Sequence, residues 1–431
     1  MESYEIIGGR PLMGTIKLSG AKNLASKLLL ATLLTDETCL LENMPRHGET
    51  LIATNILERA GKRVDWRGVD SIEVTSASHH NYDLRQSGTN RLPILAVGPL
   101  LHRDGRALVP LPSGDRIGNR PINFHLSALK NFGAQIFQFS DYVDIQANTL
   151  RGTKIILPYP SVGATESILL TASRIPEETR IQNGATEPEL LELAKFLRSL
   201  GVRIERHDRT WIILGKSKLS GAAQKVMPDR IEAVSYAAAA LATRGSVLIE
   251  DAHLAVLDKF LTFVKCIGGV SQTTAKGILF QADGELKATH ITTNVHPGFM
   301  TDWQQPSTMI LLTAKGKSII HETVYDNRFG YLASFKTMGV EVEIHTQCPP
   351  EQSCRFADKN FPHVAYLNGP IQLRGAEVIM PDIRAGMAHV IAALIASGKS
   401  RLTGVEHLDR GYENLSGKLI ALGANIRRQK S

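Results

Sequence analysis

Charged side chains recur in this chain at one kind of place, the start of segments that are otherwise almost wholly apolar. Lys22 and Asn23 open "KNLASKLLLATLL", Arg91 precedes "LPILAVGPLL", and Ser161 and Thr165 open "SVGATESILL". Asp229, Arg230 and Glu232 open "DRIEAVSYAAAALA", Asp302 opens "DWQQPSTMILL", and Asp382 and Arg384 open "DIRAGMAHVIAALI". A second series of starts carries Glu49, Arg120, Glu187, Arg328 and Arg410. Such groups are costly to bury unless they face a ligand or a partner. An acid near a helix start is most often an N-cap, and "PDRIE" and "PDIRA" fit that role. Capping does not account for Lys22, Arg91, Arg120, Arg328, Arg384 and Arg410, because a cation at a helix N-terminus opposes the dipole. An anion between them accounts for the set, and phosphates and carboxylates are the expected ligands.

Residues 108–125, "LVPLPSGDRIGNRPINFH", hold a second candidate. Pro112, Gly114 and Gly118 suit a mobile surface loop, with Asp115 beside Arg116 and near Arg120 at its tip. A turn aspartate is the commoner fate of such a residue. A lid that closes an acid over a bound anion is the functional reading.

The elements that must carry these residues repeat six times. Each repeat ends a helix-like run in glycine and passes into a short apolar strand, at Gly61, Gly133, Gly201, Gly268, Gly339 and Gly423, spaced 72, 68, 67, 71 and 84 residues apart. The texts "NFGAQI", "SLGVRI", "TMGVEV" and "ALGANI" read as helix, glycine at C′, then strand. Within a repeat, a strand and a Gly/Pro turn lead into the all-round apolar helix, which must be buried. A strand such as "SVLIEDA", "SIIHETV" or "SRLTGVE" follows, then a helix with one apolar stripe, as in "EPELLELAKFLRSLG". The fold class is α/β, built from βαβ-type units. At 431 residues the chain divides into two domains of three units each. If the buried helices of a domain run parallel, their N-terminal ends converge on one cleft.

Lys and Arg total 49 against 42 Asp and Glu, a net charge of +7, but the charges are dispersed and no basic run or basic-aromatic stripe occurs. Small anionic ligands are expected, not nucleic acid. No secretory leader and no spanning apolar stretch is read, so the expectation is a soluble cytoplasmic protein without membrane association. Four cysteines, Cys39, Cys266, Cys348 and Cys354, are too few for a disulfide framework. The longest spacing contains "HTQCPPEQSCRFADKNFPHVAYLNG", residues 345–369. His345, Cys348, Cys354 and His363 can be arranged as four zinc ligands, but the spacing is no standard finger. The reading adopted is a surface hairpin, with no metal. Trp66, Trp211 and Trp303 read as packing residues, Trp303 with a place beside Asp302.

The chain resembles the enolpyruvyl transferases, and within them the branch that acts on a nucleotide sugar. The motifs are "LSGAKN", "PSGDRIGNRP", "PSVGATESILL", "MPDRIEA", "HPGFMTDWQ", "ETVYDNRF", "PDIRAG" and "HLDRGYENL" followed by "LGANI", in order along nearly the whole chain. The resemblance implies two inverse α/β-barrel-like domains, 22–228 and 1–21 plus 229–431, joined by a double crossover. It implies transfer of the enolpyruvyl group of phosphoenolpyruvate to the 3′-hydroxyl of UDP-N-acetylglucosamine, with release of phosphate, at the first committed step of peptidoglycan precursor synthesis. Lys22, Arg120 and Arg410 would hold phosphoenolpyruvate, Arg384 and Arg91 would reinforce that cationic site, and Asp302 would serve the acceptor hydroxyl as base or orienter. Asn23 would contact the sugar and the tetrahedral intermediate. The nucleotide sugar would lie along Arg120, Pro121, Ile122, Asn123 and Phe124, Ser161, Val162 and Gly163, and Arg230, with Val324 near the sugar and Arg328 and Asp382 among the binding residues. No cofactor is implied, and a monomer is expected.

Addition across an enol ether needs a proton for the methylene carbon, a base for the hydroxyl, and cations around a trianionic donor. The Lys and Arg set meets the third need, Asp302 the second, and Asp115 is left for the first. The commonest family pattern carries Cys at that loop position, although an Asp version also occurs. A thiol is mostly protonated at neutral pH, whereas a free Asp, with a pKa of ~3.9, is mostly ionised. Arg116 and Arg120 oppose its protonation, while lid closure and the donor's charge favour it. An acid-shifted optimum and insensitivity to epoxide inhibitors such as fosfomycin are expected. Tyr159, Asn123 and Thr186 stand where Lys, Asp and Arg are usual, which leaves a paralogue with another acceptor open. Rivals are an enzyme of shikimate 3-phosphate, an RNA 3′-phosphate cyclase using His125, His253 or His407, and a non-catalytic nucleotide-sugar-binding paralogue.

Overall fold

The computed structural model describes residues 2–77, 80–88, 90–112 and 121–430. These residues form a mixed α/β structure with six small sheets. The chain gathers into two compact units, one of described residues 20–112 and 121–227, the other of 2–19 and 228–430. The first unit holds the central helices α1 (Lys22–Ala31), α2 (Pro93–Asp104) and α3 (Val162–Ala172). The second holds α4 (Arg230–Ala242), α5 (Thr301–Thr313) and α6 (Ile383–Ile395).

All thirteen residues of α4 are buried, from Arg230 to Ala242. This is the expected fate of a helix with no polar face. The sheets instead alternate, as in Ser246–Glu250, where Val247 and Ile249 are inward and the rest half-buried. Helices therefore fill the inside of each unit, and strands present one face to them. The third repeat shows the plan. Lys154–Ile156 leads into α3, and Glu178–Gln182 returns parallel to it. The helix Pro188–Ser199 then leads to the hairpin of Arg203–His207 and Thr210–Leu214. Five sheets have four strands in this order; the second repeat has three, its leading strand reduced to a single bridge between Asp83 and Leu108.

In two repeats the leading strand and the central helix are far apart in sequence. Ala223–Lys225 pairs in parallel with Cys39–Glu42, the strand after α1. Met13–Lys17 pairs in parallel with Ser246–Glu250, the strand after α4. The chain thus leaves one unit after Lys17 to start α1 and leaves the other after Lys225 to start α4. Ala21 N–H donates to Met227 O at 2.7 Å, and Asp229 N–H to Ser19 O at 2.9 Å, fixing each entry.

All six repeat glycines adopt positive φ, between 80° at Gly268 and 108° at Gly201. Gly201 N–H donates to Arg198 O and Val202 N–H to Leu197 O, a helix stop that needs the left-handed conformation. The fifth repeat departs from expectation. Arg328 does not open an α-helix; a 3₁₀ run from Gly330 to Met338 follows it, and Gly339 still closes the run. Arg410 ends the short helix Val405–Asp409 instead of opening one. No described helix is long and apolar enough to cross a membrane.

Candidate functional site

In the second unit the first turns of α4, α5 and α6 meet. Asp229 and Asp382 are N-caps: Asp229 Oδ1 accepts from Ile231 N at 2.7 Å and Glu232 N at 3.1 Å, and Asp382 Oδ1 accepts from Arg384 N and Ala385 N, both at 2.9 Å. Asp302 plays another part. It lies in the first turn of α5 behind Met300, whose side chain makes no cap, and its carboxylate is gripped by two guanidiniums. Arg328 Nη2 donates to Oδ1 at 2.7 Å and Arg384 Nε to Oδ2 at 3.3 Å. The Arg328 side chain is 2% exposed and that of Asp302 21%, so the acid keeps an open side while its cationic partners are held in the protein. Arg384 Nη1 also donates to the Tyr412 hydroxyl, which pairs with Ser235 Oγ on α4 at 2.8 Å. Burial pushes the Tyr412 phenol up, with the Arg384 charge opposing.

Neighbouring groups brace this cluster. Arg230 lies 5.5 Å from the Trp303 ring centre, and Trp303 packs edge-on against Phe299 and Phe260. Glu322 is fully buried and accepts from Val324 N, Tyr325 N and Thr301 Oγ1 at 2.8–3.0 Å, tying the turn that carries Val324 to the start of α5. Burial pushes its carboxyl up, while Arg328 and these hydrogen bonds pull the other way. Lys418 Nζ donates to Glu232 Oε1 at 2.6 Å, and Ser19 N donates to Oε2 at 2.8 Å, so Glu232 secures the chain entry to α4. Arg410 is half-buried.

The first unit carries the remaining candidates. Lys22, the first residue of α1, is buried with its Nζ 3.6 Å from Glu49 Oε1. Asn23 beside it is half-buried. Arg91 Nη2 donates to Pro121 O at 3.4 Å. Ser161 caps α3, accepting from Ala164 N at 3.4 Å, and Val162 and Gly163 open that helix. Ile122 and Asn123 stand at the start of the helix Asn123–Asn131, with Ile122 buried, Phe124 half-buried, and Pro121 and Asn123 exposed. Tyr159 O accepts from Ser161 N at 2.7 Å. Asp115, Arg116 and Arg120 lie outside the described residues.

Two further buried titratable residues lie in this unit: Glu166, which was missed as a site candidate, and His125, which was considered only as a cyclase histidine. Glu166 on α3 is buried, and its carboxyl is pushed up to about 7, first by burial, with Lys27 opposing and Glu187 and Glu189 adding. The signal was present: it is the one acid within "VGATESILLTA". His125 is also buried, with its pKa drawn down to about 3 by burial and then by Arg91. A Cβ on Gly163 would stand 2.9 Å from its Nε2, so the glycine lets the imidazole reach the first turn of α3.

With this geometry in place, comparison with known proteins is decisive. The sequence model of the EPSP synthase (3-phosphoshikimate 1-carboxyvinyltransferase) family matches residues 6–419. The chain belongs to the EPSP synthase family. Within the family it is 42% identical to UDP-N-acetylglucosamine 1-carboxyvinyltransferase of Protochlamydia amoebophila, over 99% of this chain and 94% of that one. Identity is 41% to the enzyme of that name from Chlamydia abortus, over 99% and 98%, and 36% to that from Halothermothrix orenii, over the full length of both. Among solved structures, the enolpyruvyl transferase NikO from Streptomyces tendae superposes with a TM-score of 0.87 at 22% identity, covering 100% of this chain and 99% of that one. An EPSP synthase from Acinetobacter baumannii gives 0.71 at 17% identity over all of both chains. The last two carry the fold of the EPSP synthase family rather than its substrates.

Proposed function

We propose that this chain transfers the enolpyruvyl group of phosphoenolpyruvate to the 3′-hydroxyl of UDP-N-acetylglucosamine, releasing phosphate, the step that commits the sugar to peptidoglycan. The observation that carries this reading is Asp302 held between Arg328 and Arg384 at the start of α5, in a chain that matches transferases of that name over 99% of its length. Each unit is then an inverse α/β-barrel-like domain of three repeats, with boundaries at 21/22 and 228/229, and the enzyme works in the cytoplasm as a monomer.

The sugar hydroxyl adds to C2 of phosphoenolpyruvate while a proton reaches the C3 methylene. Loss of phosphate and of one C3 proton then restores the double bond. Asp302 orients the hydroxyl and takes its proton. Its two guanidinium partners fix the carboxylate in place before substrate arrives, so little reorganisation is needed. Lys22, Arg120 and Arg410 hold the anionic donor, with Arg91 and Arg384 adding positive charge. Asn23 contacts the sugar and the tetrahedral intermediate. Pro121, Ile122, Asn123, Phe124, Ser161, Val162, Gly163, Arg230 and Val324 receive the nucleotide sugar, and Asp382 keeps α6 in register. Asp115 delivers the C3 proton from a lid.

The test is phosphate release from phosphoenolpyruvate with UDP-N-acetylglucosamine, shikimate 3-phosphate or UMP as acceptor, for wild type and Asp115→Asn. Release that requires UDP-N-acetylglucosamine and is lost in the variant supports the reading. Release with another acceptor alone assigns the chemistry to a different pathway.

A further inference from the structure

The fifth repeat carries a feature that the transfer reaction does not use. Its hairpin joins Val342–His345 to Val364–Gly369, and where the third repeat turns within residues 208–209, this one spends residues 346–363. Loops of such length with no regular structure are uncommon in compact domains unless something fastens them. Here the fastening is a cluster. One ligand atom each from His321, Cys348, Cys354 and His363 lies within 4.8 Å of all the others. Cys348 Sγ is 3.4 Å from Cys354 Sγ and 3.3 Å from His363 Nε2. Tetrahedral zinc, with bonds of ~2.3 Å to sulfur and ~2.0 Å to nitrogen, spaces its ligand atoms by roughly 3.3–3.8 Å.

This set differs from the four residues that the sequence could arrange as ligands, where the reading adopted is a surface hairpin with no metal. His345 is exposed, its ring set edge-on against Tyr366 and its Nε2 3.8 Å from Glu343. His321, from the end of the strand Gly316–His321, takes its place.

We propose that His321, Cys348, Cys354 and His363 bind one zinc ion as a closed, structural Cys₂His₂ site. Three observations support it. His321 is 1% exposed, and its Nε2 has no hydrogen-bond partner among the described residues. Both imidazoles are already oriented: His321 Nδ1–H donates to Gln352 Oε1 at 3.0 Å and His363 Nδ1–H to Phe361 O at 2.7 Å, which leaves each Nε2 lone pair for the metal. Phe356 N–H points at Cys354 Sγ at 3.3 Å, the contact that a backbone amide makes to a metal-bound thiolate, and the buried Phe356 ring covers His363. Two thiolates and two imidazoles select zinc over magnesium or calcium. With four protein donors no position stays open for a substrate, so the ion clips the loop to the sheet and takes no part in the transfer.

The full-length chain, purified under reducing conditions without chelator, is expected to contain one zinc per molecule by elemental analysis and to release it when a mercurial titrates the thiols. Cobalt exchanged into it is expected to give the visible bands of a tetrahedral ion and a thiolate-to-cobalt charge-transfer band, a reading that needs no variant to fold. Cys348→Ser and Cys354→Ser are expected to lose the metal, His345→Ala to retain it in full, and Gln352→Ala to weaken it by about 10–100-fold. Metal-free protein with free thiols or a Cys348–Cys354 disulfide overturns the proposal. So does zinc that survives both serine variants, or zinc lost from His345→Ala.

Discussion

Replacing Asp302 by asparagine leaves the side-chain volume almost unchanged and removes one charge from between two guanidiniums. The shorter contact, 2.7 Å from Arg328 Nη2, is a charge-assisted hydrogen bond to a side chain only 2% exposed; the other, 3.3 Å from Arg384 Nε, is longer. Bonds of this kind contribute about 1.5–3 kcal/mol each. Asp302 itself is 21% exposed, which calls for the lower end, and the asparagine can still accept one of the two bonds. A loss of about 2–3 kcal/mol results, much of it from two cations left without their shared counter-charge. For a unit of this size that corresponds to a fall in Tm of roughly 5–10 °C. On the proposed role of Asp302 as general base, the loss in kcat should be larger than stability explains, about 10²–10⁴-fold. Scanning fluorimetry gives the first number, and steady-state phosphate release at a temperature where the variant is folded gives the second. A folded Asp302→Asn enzyme with kcat within ten-fold of wild type would refute the role of Asp302, and a Tm change below about 1 °C would refute the energetics.

Four further outcomes follow, three from the geometry and one from the sequence. Glu166 titrates near 7 in the folded chain and near 4.5 when unfolded, so stability falls as pH rises through that window. Glu166→Gln should therefore raise the urea midpoint at pH 8, by about 3 kcal/mol in free energy, and leave it nearly unchanged at pH 4; equal effects at both would contradict this. Gly163→Ala pushes a methyl group to 2.9 Å from His125 Nε2 and should raise KM for UDP-N-acetylglucosamine roughly ten-fold while sparing kcat, measured in the same assay. Gly201→Ala meets no steric block but must hold φ near 108°, and should cost about 1–2 kcal/mol by chemical denaturation. Asp115→Cys should gain time-dependent covalent inactivation by fosfomycin that the wild-type chain lacks, detected as an adduct by mass spectrometry.

The repeat was legible because its punctuation is chemical: only glycine occupies the left-handed stop cheaply, and all six such positions carry it. The capping roles of Asp229 and Asp382 were equally legible, since an N-cap needs only its own next two or three residues. Asp302 stood out as an acid at the mouth of an apolar helix, and Arg328 and Arg384 stood out as cations, but their pairing with Asp302 did not, because they lie 26 and 82 residues away in sequence. The same limit governs the cysteine cluster. Proximity in sequence favours His345, and strand pairing sets both His321 and His345 opposite Val364, on its two sides; only the arrangement in space shows that His321 is the one whose ring nitrogen meets the cysteines. Glu166 went unread although its helix was expected to be buried, because it stands in the second turn of α3 and not at the helix start where the other charged groups gather.

The strand Glu2–Ile7 lies between Lys399–Thr403 on one side and Asn425–Lys430 on the other, antiparallel to both. It is synthesised roughly 390 residues before the nearer of its two neighbours. At about 5–20 residues per second, the interval is roughly 20–80 s. Throughout that time the unit of described residues 20–112 and 121–227 can close, while Glu2–Ile7 waits with two unpaired edges, the surface on which nascent chains adhere to one another. Biosynthesis of this protein therefore has a built-in period of exposure. A ribosome that stalls between residues 228 and 398 releases one complete unit tethered to a strand that has no sheet to join.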